Sequence, residues 1–330
     1  GSPCLRPSAD RPARHRALRA RPRAADARRM HALAPAPAPA RTPFDAWLET
    51  ALRRVAPISP WAMSLLSMRP DAEGNDRALG RLIASDPALL ARVLGTANAR
   101  PFNPQGHEVT EVGHAIRRLG TREVWRIATV LALGAGARIR PELRPAKCAL
   151  WAHGFTVAHA ARGIAESAGR DGIDADRVYV AALLHDIGLS VLLSVEPERC
   201  LAMLAKASDP AIGFSVQVER EVGLPPHARI GGEVCRTWGL PADVVTLVGS
   251  HGLVHPLDLP ARLRACGAAL ELGHQLAERT APPEGVRRHP ERDDAPLLAT
   301  FLRVSPARIE AIRASIEAAG PRIAEIARGA

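Results

Sequence analysis

The sequence predicts an all-α protein, and three observations carry that expectation. From Phe44 onward apolar residues recur at helical spacing with almost no strand alternation. Cap and stop residues punctuate these stripes where helices should begin and end. Pro-containing joints then divide the stripes into groups.

The elements follow in order. In "NDRALGRLIASDPALLARVLGTANA", Leu79, Leu82 and Ile83 form one stripe. The pattern restarts at Asp86-Pro87, a capping Asp followed by Pro at the first helical position. Leu89, Leu90, Val93, Leu94 and Ala97 continue it. "EVGHAIRRLGTREVWRIATVLALG" repeats the plan: Val112, Ala115, Ile116 and Leu119 run to a stop at Gly120, and Thr121 is expected to cap the next helix. Asp174 precedes "ADRVYVAALLHD", Gly239 closes the helix before "PADVVTLVGSH", and Ser305-Pro306 opens "ARIEAIRASIEAA". The joint "RIRPELRPAK" separates an N-terminal helical group from a central one, and "HPLDLP" and "TAPPEGVRRHPERDDAP" loosen the C-terminal part.

Composition limits the function classes. The net charge of +10 suggests nucleic acid until it is located. Residues 1–43 contain ten Arg and two Asp, a net of +8, so the remaining 287 residues carry only +2. This Arg/Ala/Pro-rich stretch lacks the apolar residues for a core and is expected to be a disordered leader. A basic nucleic-acid arm is the lesser reading, and Met30 is a candidate true start. No apolar region follows the basic residues, so a signal peptide is not expected. No run of about 18 apolar residues is expected either, so a membrane span is not. Five cysteines (Cys4, Cys148, Cys200, Cys235, Cys266), odd in number and without CxxC spacing, argue against a disulfide framework and a structural zinc site. A reducing cytoplasm is the natural compartment.

Two segments imitate a helix-turn-helix, "AIRRLGTREVWRIATVL" and "LLATFLRVSPARIEAIRASI". The first reads as core after Thr121, with Val124, Trp125, Ile127, Val130 and Leu131. The second pairs Arg308 and Arg313 with Glu310 and Glu317, an ordinary mixed surface. Neither is expected to read DNA.

The chemistry-bearing residues are histidines. His153, His185, His227 and His251, with Asp186 beside His185, fall near expected helix ends or loops. Imidazoles and carboxylates are the ligands expected for Fe, Mn or Zn, provided several converge. Their spread over almost a hundred positions leaves convergence open. His159 is read as a supporting residue of its helix. His107, His114, His255, His274 and His289 are read as surface or capping residues.

The motif order resembles the HDOD family, a degenerate branch of the HD phosphohydrolase superfamily found in bacterial signalling. It runs from about Ile58 to Ala319 through "ASDPALLARVLGTANA", "VGHAIRRLG", "LWAHGFTVAHAA", "AALLHDIGL", "EREVGLPPHARIGGEVCRTWGLP" and "LVGSH". The resemblance implies an HD-like helical bundle preceded by an N-terminal helical subdomain. The boundaries it suggests are a leader at 1–43, the N-terminal subdomain at 44–145, the HD-like subdomain at 146–256 and completing helices at 257–330. It would make His153, His185 and Asp186 metal ligands, with His227 and His251 matching positions used in two-metal relatives.

Two departures count against a working site. The superfamily's final Asp is expected within "LPARLRACGAALELG", which has no Asp and places Cys266 and Gly267 near the position. Leu189 stands where related cyclic-dinucleotide phosphodiesterases carry a Lys. The resemblance therefore implies a non-catalytic regulatory module acting through protein contacts or a small ligand at the degenerate site, with no cofactor expected. Its partners would be signalling proteins, including those of cyclic-dinucleotide pathways, and not nucleic acid. The alternative is a metal-dependent phosphohydrolase acting on a nucleotide or cyclic dinucleotide, holding Fe, Mn or Zn.

Overall fold

Helix caps read from the sequence reappear in three dimensions. The structure, a computed structural model, describes residues 42–53, 60–70, 72, 74–134, 139–208, 216–282 and 294–329. Among them there are α-helices and short 3-10 turns and no strand. The first group is α1 (Pro43–Leu52), α2 (Pro60–Ser67), α3 (Asn75–Ala84), α4 (Pro87–Asn98), α5 (Val112–Leu119) and α6 (Thr121–Gly134). Next come α7 (Arg144–Ser167), α8 (Ala175–Leu184), α9 (Ile187–Val195), α10 (Pro197–Ala207), α11 (Val216–Glu221), α12 (His227–Thr237) and α13 (Ala242–Ser250). The chain ends in α14 (Arg264–Thr280), α15 (Ala295–Leu302) and α16 (Pro306–Gly329).

Asp86 accepts the Leu89 amide at 2.9 Å with Pro87 opening α4, and Asp174 accepts the Arg177 amide at 3.1 Å to start α8. These bonds satisfy amides that a helix start leaves orphaned. Gly120 and Gly239 take positive φ (88° and 72°) where the stripes stop. Thr121, expected as a cap, is the first residue of α6 itself. Thr42 and Pro43, placed in the leader by composition, form the capping box and first residue of α1. Residues 1–41, including Met30 and the basic tract, lie outside the described residues.

Residues Thr42–Ala330 form one compact unit. Its organiser is α7, which packs against α8, α14 and α16, while α12 lies between α9 and α13. The long α16 also touches α4 and α6, so it joins the first helical group to the rest. Backbones meet closely at two glycines. A Cβ on Gly273 of α14 would sit 2.6 Å from the Ala161 Cα of α7, and one on Gly188 would run into the His227 carbonyl oxygen. Only a residue without Cβ permits these approaches.

One apolar segment bears on the expectation that no helix spans a membrane. The segment Ala175–Val195, which contains α8 and α9, is long and apolar enough to cross a membrane, with mean hydropathy 1.9. Of its most apolar 18-residue stretch 89% is buried within the protein, so its apolarity is that of a core element. In the first helix-turn-helix imitation, Val124, Trp125, Ile127, Val130 and Leu131 are all buried.

Candidate metal centre

Three helix joints and one helix face bring the singled-out residues together. His153 projects from the buried face of α7. His185 and Asp186 form the turn between α8 and α9, and His251 follows the last residue of α13. His227 opens α12, and the missing side chain of Gly188 lets that end approach the His185-Asp186 turn. All five residues are at most 9% exposed.

Asp186 is central. Its Oδ2 lies 3.2 Å from His185 Nε2 and 3.9 Å from His153 Nε2, and its Oδ1 lies 3.1 Å from His227 Nε2. His185 Nδ1–H donates to the Ala182 carbonyl at 2.6 Å, and His227 Nδ1–H donates to Glu219 Oε1 at 2.8 Å. The other nitrogen of each ring therefore faces the Asp186 carboxylate. Without a metal, a proton serves at His227. Burial opposes that charge, but Glu219 and Asp186 outweigh it and raise the imidazole to about 10.

Glu219 is completely buried, and both its oxygens also lie within 3.3 Å of the His227 amide. A carboxylate behind a ligating imidazole is the usual device for fixing its tautomer and strengthening its basicity. His185 has the equivalent support from a backbone carbonyl.

A sixth contributor was misread in the sequence. His274 of α14, taken for a surface or capping residue, has a side chain only 12% exposed. Its ring centroid lies 5.1, 5.2 and 4.8 Å from those of His153, His185 and His251. The ligand atoms of His153, His185 and His274 lie within 4.8 Å of one another, as do those of His185, Asp186 and His251. Glu278 Oε1 sits 3.4 Å from His274 Nε2, and Glu271 Oε2 sits 3.9 Å from His251 Nδ1. The available signal was "ELGHQLAE", which sets Glu271, His274 and Glu278 at i, i+3 and i+7 on one helix face. Glu219 left no comparable trace, because its role depends on the turn before α12.

Other residues stand apart. Cys266 is buried near Asp174, Arg177 and Asp243, and a Cβ on Gly267 would meet Leu259. His255 accepts the Leu257 amide and pairs with Asp294 at 2.9 Å. His159 reaches Ser315 on α16 at 3.0 Å. His289 lies outside the described residues. A cavity of about 460 Å³ is lined by Thr42, Phe44, Arg229, Arg236, Thr246 and Ser250, and by none of the cluster residues.

An all-helical unit built around a His-Asp turn and converging imidazoles defines a protein of the HD type. The sequence matches the HDOD domain over residues 55–253, and the chain belongs to the HDOD family. An HDOD domain protein of unknown function from Geobacter sulfurreducens is similar in structure, with 19% identity and TM-score 0.63, over 85% of this chain and 97% of that one. A candidate signal transduction protein from Marinobacter aquaeolei VT8 gives 20% identity and TM-score 0.65, over 88% of this chain but only 61% of its own. A candidate phosphohydrolase from Shewanella amazonensis SB2B gives 19% identity and TM-score 0.58, over 86% and 98%. At these identities the likeness is one of fold. No curated protein matches the chain.

Proposed function

We propose that this chain is a non-catalytic regulatory and interaction module of bacterial signal transduction, working in the cytoplasm through contacts with signalling proteins. Its functional unit comprises an N-terminal subdomain running to residue 145 from the Thr42 cap of α1, an HD-like part at 146–256 and completing helices at 257–330. Family membership and the Marinobacter likeness support the signalling context.

The observation that carries the reading is a convergent but enclosed centre. A phosphoester hydrolase needs an open position for substrate and cationic help for the charge that develops on phosphate. Here Asp186 and the four histidines His153, His185, His227 and His251 are buried, and Leu189, where the resemblance to phosphodiesterases expects a Lys, is buried too. The side chains facing Asp186 in the interactions above are imidazoles, which suit a resident ion better than a transferring phosphoryl group.

The second reading, a metal-dependent phosphohydrolase acting on a nucleotide or cyclic dinucleotide, is favoured by one observation. Asp186 offers an oxygen to each of two imidazoles, an arrangement suited to bridging. The deciding experiment assays the full chain with added Mn²⁺ or Fe²⁺ on a generic phosphodiester and on cyclic dinucleotides. Rates equal to the metal-only control are expected. Metal-dependent turnover would overturn the non-catalytic reading.

A further inference from the structure

We propose that α14 supplies the centre with a ligand about two helical turns beyond the position where the superfamily pattern expects its final Asp. His274, backed by Glu278 and flanked by Glu271, joins His153 and His185 in holding a late divalent transition ion such as Zn²⁺ or Fe²⁺, in preference to Mg²⁺.

Three independent features place His274 there. The first is the packing of α14 on α7: at Gly273, the residue before His274, the approach to Ala161 is too close for any side chain. The second is the cluster itself, in which the His274 ring lies about 5 Å from three other imidazoles. The third is the support behind it. Gln275, 1% exposed, donates its amide to Glu271 at 2.9 Å and to Asp294 at 2.6 Å, which fixes the Glu271 carboxylate beside His251. His274 stands eight residues beyond Cys266, just over two helical turns.

The donor chemistry decides the metal class. Imidazole nitrogens suit Zn, Fe, Cu and Ni, whereas Mg²⁺ takes carboxylate, carbonyl and water oxygens. Exchanging a carboxylate for an imidazole removes one negative charge and tilts the set toward nitrogen. Asp186, Glu271 and Glu278 supply negative charge that lets the enclosed centre accept a dication.

The test uses the full chain, freed of metal with a chelator and titrated calorimetrically with Zn²⁺ and separately with Mg²⁺. Circular dichroism checks the fold. The wild type is expected to bind Zn²⁺ at least 100-fold more tightly than Mg²⁺. His274→Ala should weaken Zn²⁺ binding by roughly 100-fold, since outer partners of a ligand alone contribute ~10–100-fold. His274→Asp should restore binding and narrow the preference over Mg²⁺. If His274→Ala does not fold, His274→Gln replaces it with the same expected loss. His255→Ala, a histidine outside the cluster, should bind like the wild type. Wild-type affinity in both His274→Ala and His274→Gln, equal affinity for Mg²⁺, an equal loss in His255→Ala, or no binding by the wild type would each overturn the proposal. Metal preference and turnover are separate readouts. Phosphodiester hydrolysis would overturn the non-catalytic reading and leave the α14 ligand set standing.

Discussion

Glu219 receives the Nδ1 proton of His227 at 2.8 Å, and both residues are buried. The same carboxylate lies within hydrogen-bonding distance of the His227 amide. Removing it leaves two buried donors to be satisfied elsewhere, each costing about 1–3 kcal/mol. Glu219→Ala is therefore expected to destabilise the protein by about 3 kcal/mol in urea unfolding. A loss below about 1 kcal/mol would contradict this role.

Gly188 gives a prediction about backbone approach. Its Cα–H faces the His227 carbonyl so closely that a methyl group would have to move α9 away from α12. Overpacking usually costs about 1–3 kcal/mol, and a backbone obstacle belongs at or above the top of that range. Gly188→Ala should lose about 3 kcal/mol or more and also disturb metal binding. Gly95, inside α4 with open space at its Cβ position, is the contrast. Gly95→Ala should gain about 0.5–1 kcal/mol from helix propensity. Equal effects at the two sites would show that the close approach is not the cause.

His159 makes stability depend on pH away from the centre. Ser315 donates its hydroxyl proton to the Ile312 carbonyl at 2.7 Å, so His159 Nε2–H must donate to Ser315 at 3.0 Å. Burial, reinforced by Arg126 and Arg162 against Glu166, lowers this imidazole to about 4. The unfolded chain takes up the proton near pH 6.5 and the folded chain only near 4. The resulting stability is complete above pH 6.5 and is lost as pH falls toward 4, by at most about 3 kcal/mol. His159→Gln keeps the donor without titrating. Between pH 7 and 4.5 the wild type should lose about 2–3 kcal/mol more than the variant, measured by urea unfolding. Parallel pH profiles would contradict the assignment.

Much of the fold was legible because helix starts are written locally. Asp86-Pro87, Asp174 and Ser305-Pro306 carry their capping chemistry within three or four residues of the helices they open. The apolar run through α8 and α9 was less transparent. Its length and hydropathy pass for a membrane segment, but Asp176, Arg177, His185 and Asp186 interrupt it, and its burial agrees with a core element. The His-Asp turn and three further histidines were readable as candidates, but their convergence depends on packing among α7, α12, α13 and α14. His274 was missed because a histidine on a helix face reads as ordinary surface until α7 is known to lie against it. Glu219 was missed because an acidic residue in a charged segment, "VERE", gives no sign that the turn after it will bury the side chain.

Phosphodiester cleavage by the metal-loaded wild type, measured beside Asp186→Ala, tests the central claim most directly. Asp186 is the carboxylate that the neighbouring imidazoles share, so any hydrolysis at this centre must depend on it. Equal rates for the two proteins, indistinguishable from free metal, are the expected result. Turnover by the wild type that disappears in Asp186→Ala would contradict it.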